Sequence, residues 1–130
     1  MELYILLIQR LLAVKNTLSS VLEELCWDNL HTSQWKMLAS IHDLLKPFAQ
    51  YTSLIGGEDY TTVSSVIPII MEINFHLEES RQSPEVASAA SILLSKFKHG
   101  FQHITDPSDP DHDPLFLACT LLDPRYWPLF

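Results

Sequence analysis

Cysteine, basic side chains and long apolar runs are all scarce in this sequence, and each scarcity removes a class of function. Only two cysteines occur, Cys26 and Cys119, too few for a metal cage or a disulfide framework. Each sits among apolar residues, so the expectation is two reduced, buried thiols in an intracellular protein. Lysine and arginine total 8 against 16 aspartates and glutamates, a formal net charge of -8. Affinity for nucleic acid comes largely from basic groups that displace counterions at phosphates. Here the basic residues are scattered, and Lys96 with Lys98 is the nearest approach to a patch. Direct contact with DNA by this stretch is therefore not expected. The apolar opening at residues 3–8 (LYILLI) is too short to span a bilayer. Gln9 and Arg10 interrupt it, and Glu2 stands where a signal peptide carries positive charge. It reads as a buried helix, with no membrane as partner. Alternation with a period of two is missing over any useful length, which argues against a sheet.

What the sequence does contain is apolar residues at helical spacing. In 130 residues, 47% are hydrophobic and 18% charged, enough to build a core but few charges for a free-standing helical protein. Some apolar faces are thus expected to be covered by neighbours. Leu7, Leu11, Val14, Leu18, Val21 and Leu25 alternate spacings of four and three, the seam of one long helix over residues 2–25. A second helix, capped by Thr32 or Ser33 and with Trp35 near its start, carries Leu38, Ile41, Leu45, Phe48, Thr52 and Ile55 in the same rhythm. Pro47 falls inside it and predicts a kink, and Gly56-Gly57 ends it. Thr61, Thr62 or Ser64 opens a third helix bearing Val66, Ile67, Ile70, Ile73 and Leu77, with Pro68 tolerated in the first turn. Ser83-Pro84-Glu85 signals a fourth, running to about Ile104 with Val86, Ala90, Leu93, Leu94, Phe97 and Phe101 facing inward. Residues 105–113 (TDPSDPDHD) form a proline- and aspartate-rich loop. A short apolar helix over 115–122 follows, and Asp123-Pro124 begins another. The expected fold is all-α: an antiparallel bundle of four long helices over residues 1–104, the 105–113 loop, then short helices over 114–130.

Four blocks of this pattern resemble the hAT transposase family, including the BED zinc-finger proteins derived from it. They are ELYILLIQRLL at residues 2–12; Trp35 followed by LLKPFAQYTSLI at 44–55; YTTVSSVIP at 60–68; and LACTLLDPR at 117–125. The family commonly has phenylalanine-lysine after the last arginine, where this chain has Tyr126-Trp127-Pro128. The resemblance implies a helical insertion within an RNase H-like region, after the first two catalytic acids of that region and before its glutamate. It also implies a zinc-binding BED finger farther N-terminal, which would contact the DNA, and a dimerisation region farther C-terminal. None of the family's catalytic or zinc-binding residues falls on a position here, so neither a cofactor nor a catalytic residue is expected in the segment. A nuclear location is implied, and the RNase H-like portion becomes the expected packing partner. The residues carrying the resemblance are structural: Trp35, Pro47, Phe48, Pro68, Asp123, Pro124 and Arg125.

Each constellation with chemical promise has a plainer reading. His99 and His103 are four apart, as zinc-binding histidines can be, but Gly100-Phe101-Gln102 between them supplies no glutamate base and no third ligand is evident. Asp109, Asp111 and Asp113 imitate the opening of a calcium loop, yet Pro114 replaces the required glycine and Thr120 the closing glutamate, so a solvated acidic turn is expected. The pairs Glu23-Glu24, Glu58-Asp59 and Glu78-Glu79 read as solubilising charge. Asp123 reads as a helix cap, and Arg125 can pair with it or with another acid. Ser64 and Ser65 show no neighbouring base, and neither cysteine a histidine partner. Trp27, Trp35 and Trp127, with Phe48, Phe97 and Phe101, read as core before binding surface. A non-catalytic structural and interaction segment of a DNA-binding regulator is the expectation, with a free-standing helical adaptor as the alternative.

Overall fold

The computed structural model describes residues 2–57 and 63–129. Among these residues the chain is all-helical, with no strand. Its α-helices are α1 (Glu2–Ala13), α2 (Lys15–Glu24), α3 (Thr32–Ile55), α4 (Val66–Ser80), α5 (Ala87–Gly100), α6 (Gln102–Thr105) and α7 (Leu115–Leu122). Tight 3-10 turns at Val63–Ser65 and Pro124–Leu129 lead into α4 and out of α7.

The core lies where α3, α4 and α5 meet. Leu44, Ile69, Ile73, Leu77, Val86, Ala90 and Leu94 are buried together, with Ile41, Phe48, Tyr51 and Phe97 packed against them. Ala90 lets α5 approach α4 closely, and Phe48 meets Phe97 edge-to-face with ring centroids 5.9 Å apart. α1 crosses α3 on the other side, and α7 rests on α4 and on the Val63–Ser65 turn. No single helix among the described residues is long and apolar enough to cross a membrane.

Several expectations give way here. The helix over residues 2–25 is two helices, bent by 66° at Val14. Its assumed seam points mostly outward: Leu7 is 62% exposed, whereas Ile5 is 5% exposed and buried against α3, with Ile8 and Leu12 half-buried. Both stripes of α1 are apolar, so periodicity does not choose between them, and α3 covers only one. The opening apolar run is correspondingly not buried, since Leu3, Tyr4, Leu6 and Leu7 all meet solvent. In α3 the inward row is Trp35, Ile41, Leu44, Phe48 and Tyr51, one step round from the row containing Leu45 and Thr52. α3 begins at Thr32 with His31 as its cap position, where Gln34 Oε1 accepts the His31 N–H at 2.7 Å; neither Thr32 nor Ser33 is the cap. The helix continues through Pro47 to Ile55.

α4 starts at Val66 behind the 3-10 turn, placing Pro68 within the first turn, where its missing N–H is harmless. Thr61 and Thr62 lie outside the described residues. The Ser83-Pro84-Glu85 signal marks a turn, and α5 begins at Ala87. The Ser83 hydroxyl donates to the Glu85 carboxylate (3.0 Å), which is engaged with Lys36 of α3 at 2.5 Å. α5 breaks at Phe101, and α6 carries the last turn to Thr105, burying Ile104. The expected bundle of four long helices is thereby replaced by three central helices flanked by shorter ones.

Candidate functional site

The residues singled out by the sequence gather at two places. Trp35 is buried at the N-terminal end of α3, where Leu11, Leu18, Leu22 and Leu30 line the hollow around it and the Lys15 ammonium lies 5.7 Å from its ring. Trp35 is thus the post against which the bent α1–α2 arm rests. Phe48 is in the core, while Pro47 and Pro68 line an outer groove between α3 and α4.

The second place is a polar knot between the Val63–Ser65 turn and the end of α7. Asp123 is the first residue past α7, and its carboxylate accepts the Arg125 backbone N–H at 3.0 Å, as the cap of the Pro124–Leu129 turn should. The same carboxylate accepts the Ser64 hydroxyl at 2.7 Å and pairs with the Arg125 guanidinium, with Nη2 at 2.6 Å and Nε at 3.0 Å from its two oxygens. Arg125 Nη2 also donates to Ser64 Oγ (3.2 Å). Below this, the Thr120 hydroxyl, fully buried, reaches the Ser64 carbonyl at 2.9 Å and the Phe116 carbonyl at the same distance. The Tyr126 hydroxyl donates to Ser65 Oγ at 2.7 Å. Two stretches nearly sixty residues apart in sequence are thereby stitched by six side chains.

Its electrostatics are those of a hydrogen-bonded ion pair. The Arg125 guanidinium and the Ser64 hydroxyl hold the Asp123 carboxyl far below the usual carboxylate range, and Asp123 raises Arg125 in return. A carboxylate stabilised this strongly as the anion is a weak base at neutral pH. Ser64 and Ser65 are themselves buried. The choice left open for Arg125 resolves to Asp123. The partnership of Ser64 and Asp123 was not evident from sequence; the one hint was that both lie inside blocks of the same resemblance.

The remaining candidates are dispersed. Asp106, Asp109 and Asp113 accept the backbone N–H of Ser108, Asp111 and Leu115 at 2.9 Å each, shaping the loop and capping α7. His99 lies in the last turn of α5 and His103 beyond the break, in α6; the His103 carbonyl accepts from His112. Among the described residues no group of three or more His, Cys, Asp or Glu converges as metal ligands would. Glu23 and Glu24 are exposed; Glu78 pairs with Arg81 and Lys98, which hold its carboxyl below the ordinary value. Glu58 and Asp59 lie outside the described residues. Cys26 is exposed and Cys119 half-buried, correcting the expectation of two buried thiols. Trp27 and Trp127 are also largely exposed, so of the three tryptophans Trp35 alone is core.

No protein-family model matches the chain, and no solved structure matches it. Curated proteins do. Zinc finger BED domain-containing protein 39 of Caenorhabditis elegans is 30% identical over 95 residues, which is 71% of this chain and 9% of that protein. Zinc finger BED domain-containing protein 4 of Homo sapiens is 28% identical over 121 residues, 92% of this chain and 10% of that protein. The chain spans about a tenth of the length of these relatives. It is a distant relative of segments from BED-type zinc-finger proteins.

Proposed function

We propose that this chain is a non-catalytic helical segment of a BED zinc-finger-type DNA-binding regulator derived from a hAT-like transposase, acting in the nucleus. The observation that carries the reading is the similarity of 92% of the chain to one stretch of a human BED zinc-finger protein. The knot adds to it, because the YTTVSSVIP and LACTLLDPR blocks on which the hAT resemblance rests meet there through Ser64, Asp123 and Arg125. The segment packs on an RNase H-like portion of the same protein. Dimerisation belongs to a C-terminal region, and DNA is engaged by a zinc-loaded finger N-terminal to the segment. With a net charge of -8 and no basic stripe, the segment has little means to hold phosphates itself.

The test is a gel-shift and cleavage assay on the 130-residue chain with duplex DNA and magnesium, at about 50 and 200 mM salt. The chain alone should neither retard nor cut DNA, and the longer protein with its finger should bind in a salt-dependent manner. Cleavage by the chain, abolished when Asp109, Asp111, Asp113 and Asp123 are replaced together, would overturn the reading. A free-standing adaptor is the second reading, favoured by the outer groove of α3 and α4. It requires a monomer with one cooperative melt at micromolar concentration, which sedimentation and calorimetry distinguish from a self-associating segment.

A further inference from the structure

α3 and α4 run antiparallel, fastened at two levels. The His76 Nε2–H donates to the Leu44 carbonyl at 3.2 Å, and the Tyr51 hydroxyl bonds the Glu72 carboxylate. Above these ties an open groove of about 590 Å³ is lined by Pro47, Tyr51, Pro68, Met71, Phe75 and Glu72 among others. Met71 and Phe75, one helical turn apart on α4, are 57% and 66% exposed. The core uses the opposite side of α4, through Ile69, Ile73 and Leu77. Met71 and Phe75 lie outside that core, and together they present an apolar floor. Methionine adapts to varied shapes and an exposed phenylalanine supplies an anchor, the pairing found where helices are received in grooves.

Charge decides what fits. No lysine or arginine lines the groove, and Glu72 stands within it. Glu79 lies one turn beyond Phe75 on α4, and Asp43 one turn before Pro47 on α3, both exposed. Because Leu44 sits beside His76, these two acids come to the same end of the groove. The surface is apolar along its floor, and at that end Asp43 and Glu79 outnumber Lys46, which is exposed one turn before Gln50 of the lining. A second copy of this chain, also at -8, would set acid against acid.

We propose that this groove docks a basic amphipathic helix of a partner protein, its apolar anchors resting on Met71 and Phe75 and its lysines or arginines reaching Glu72, Asp43 and Glu79. The inference goes beyond the family reading and stands whether or not the parent carries a finger.

The test is fluorescence anisotropy of a labelled helical peptide of about 18 residues, with leucines at i, i+4 and i+7 and lysines flanking them, against the same peptide with glutamates in place of lysines. The lysine peptide should bind the 130-residue chain at micromolar concentration and the glutamate peptide about tenfold more weakly or less. Phe75→Ser and Met71→Ser should each weaken the lysine peptide about tenfold with helical circular dichroism unchanged, and Leu7→Ser on α1 should not. Equal binding of the two peptides, or equal loss on Leu7→Ser, would overturn the proposal in favour of nonspecific adhesion. A concentration-dependent dimer that Phe75→Ser abolishes would overturn it in favour of a second copy. Neither result bears on DNA binding by the longer protein, so this proposal and the family reading fail separately.

Discussion

At the scale of single residues, two side chains hold unusual positions. Cys26 has φ of 54°, the left-handed region that side chains with a Cβ rarely enter. The reason is the end of α2. Trp27 N–H bonds the Leu22 carbonyl at 2.9 Å and Cys26 N–H bonds that of Glu23 at 3.1 Å, the two crossed bonds of a Schellman cap, whose turning residue is normally glycine. Cys26→Gly should therefore raise stability by about 0.5–1 kcal/mol in a urea melt. A loss of stability would mean that the thiol makes a contact outweighing the backbone strain. Thr120 is the converse case, a polar side chain at 0% exposure whose hydroxyl reaches the Ser64 and Phe116 carbonyls. Thr120→Val keeps the shape and removes the donor, leaving the Ser64 carbonyl without that partner in a buried place. A cost of about 1–3 kcal/mol is expected, and an unchanged melt would show that this hydroxyl contributes nothing to folding. Local rules found the cap at Asp123, because a side chain bonding two residues ahead needs no knowledge of the fold, but they missed His31 at the start of α3. The Ser64–Asp123 bond crosses 59 positions and leaves no local trace.

Elements were legible where one face alone was apolar. The inward row of α5, from Val86 and Ala90 to Phe97, follows the spacing read from the sequence. The register of α1 was not legible, because Leu7 and Leu11 compete with Ile5, Ile8 and Leu12, and only the position of α3 decides between them. The start of α5 was misplaced for an electrostatic reason: Glu85 serves as a tie to Lys36 and to Ser83, so the proline turn stays outside the helix. That tie predicts a pH dependence. Hydrogen bonds from Lys36, from its own backbone N–H and from Ser83 pull the Glu85 carboxyl from 4.5 down to about 2. A carboxyl depressed in the fold stabilises fully above its unfolded value and loses that contribution as pH falls through its folded one. Thermal melts by circular dichroism should accordingly show the melting temperature dropping between pH 4.5 and 2, with Asp123 adding to the fall at the acid end. Glu85→Gln should flatten the upper part of that fall. The flattening should be modest, since Lys36 is largely exposed and solvent screens the pair. An identical pH profile in the variant would show that the tie is without thermodynamic weight.

For the whole molecule the decisive quantity is surface. The chain exposes 9177 Å² at 14.9 kDa, whereas a compact monomer of that mass exposes about 7000 Å². The excess, roughly 2000 Å², is comparable to the area buried in an ordinary protein–protein interface. It is also apolar in character: Leu3, Tyr4 and Leu7 on α1, Leu122 at the end of α7 and Trp127 beyond it all face solvent. Low charge content and outward leucines are the same fact at two scales, since residues written for burial find no cover among the described elements. A segment that lies within a much longer protein has neighbours to supply that cover, which is how the excess supports the proposed setting. In isolation the uncovered faces should find one another. Sedimentation at micromolar concentration should show self-association, and Leu3→Ser with Leu7→Ser should reduce it while leaving the thermal midpoint nearly unchanged, because neither side chain reaches the core. A monodisperse monomer that binds no hydrophobic dye would mean that these leucines are tolerated in water, and the case for a covering neighbour would go with it.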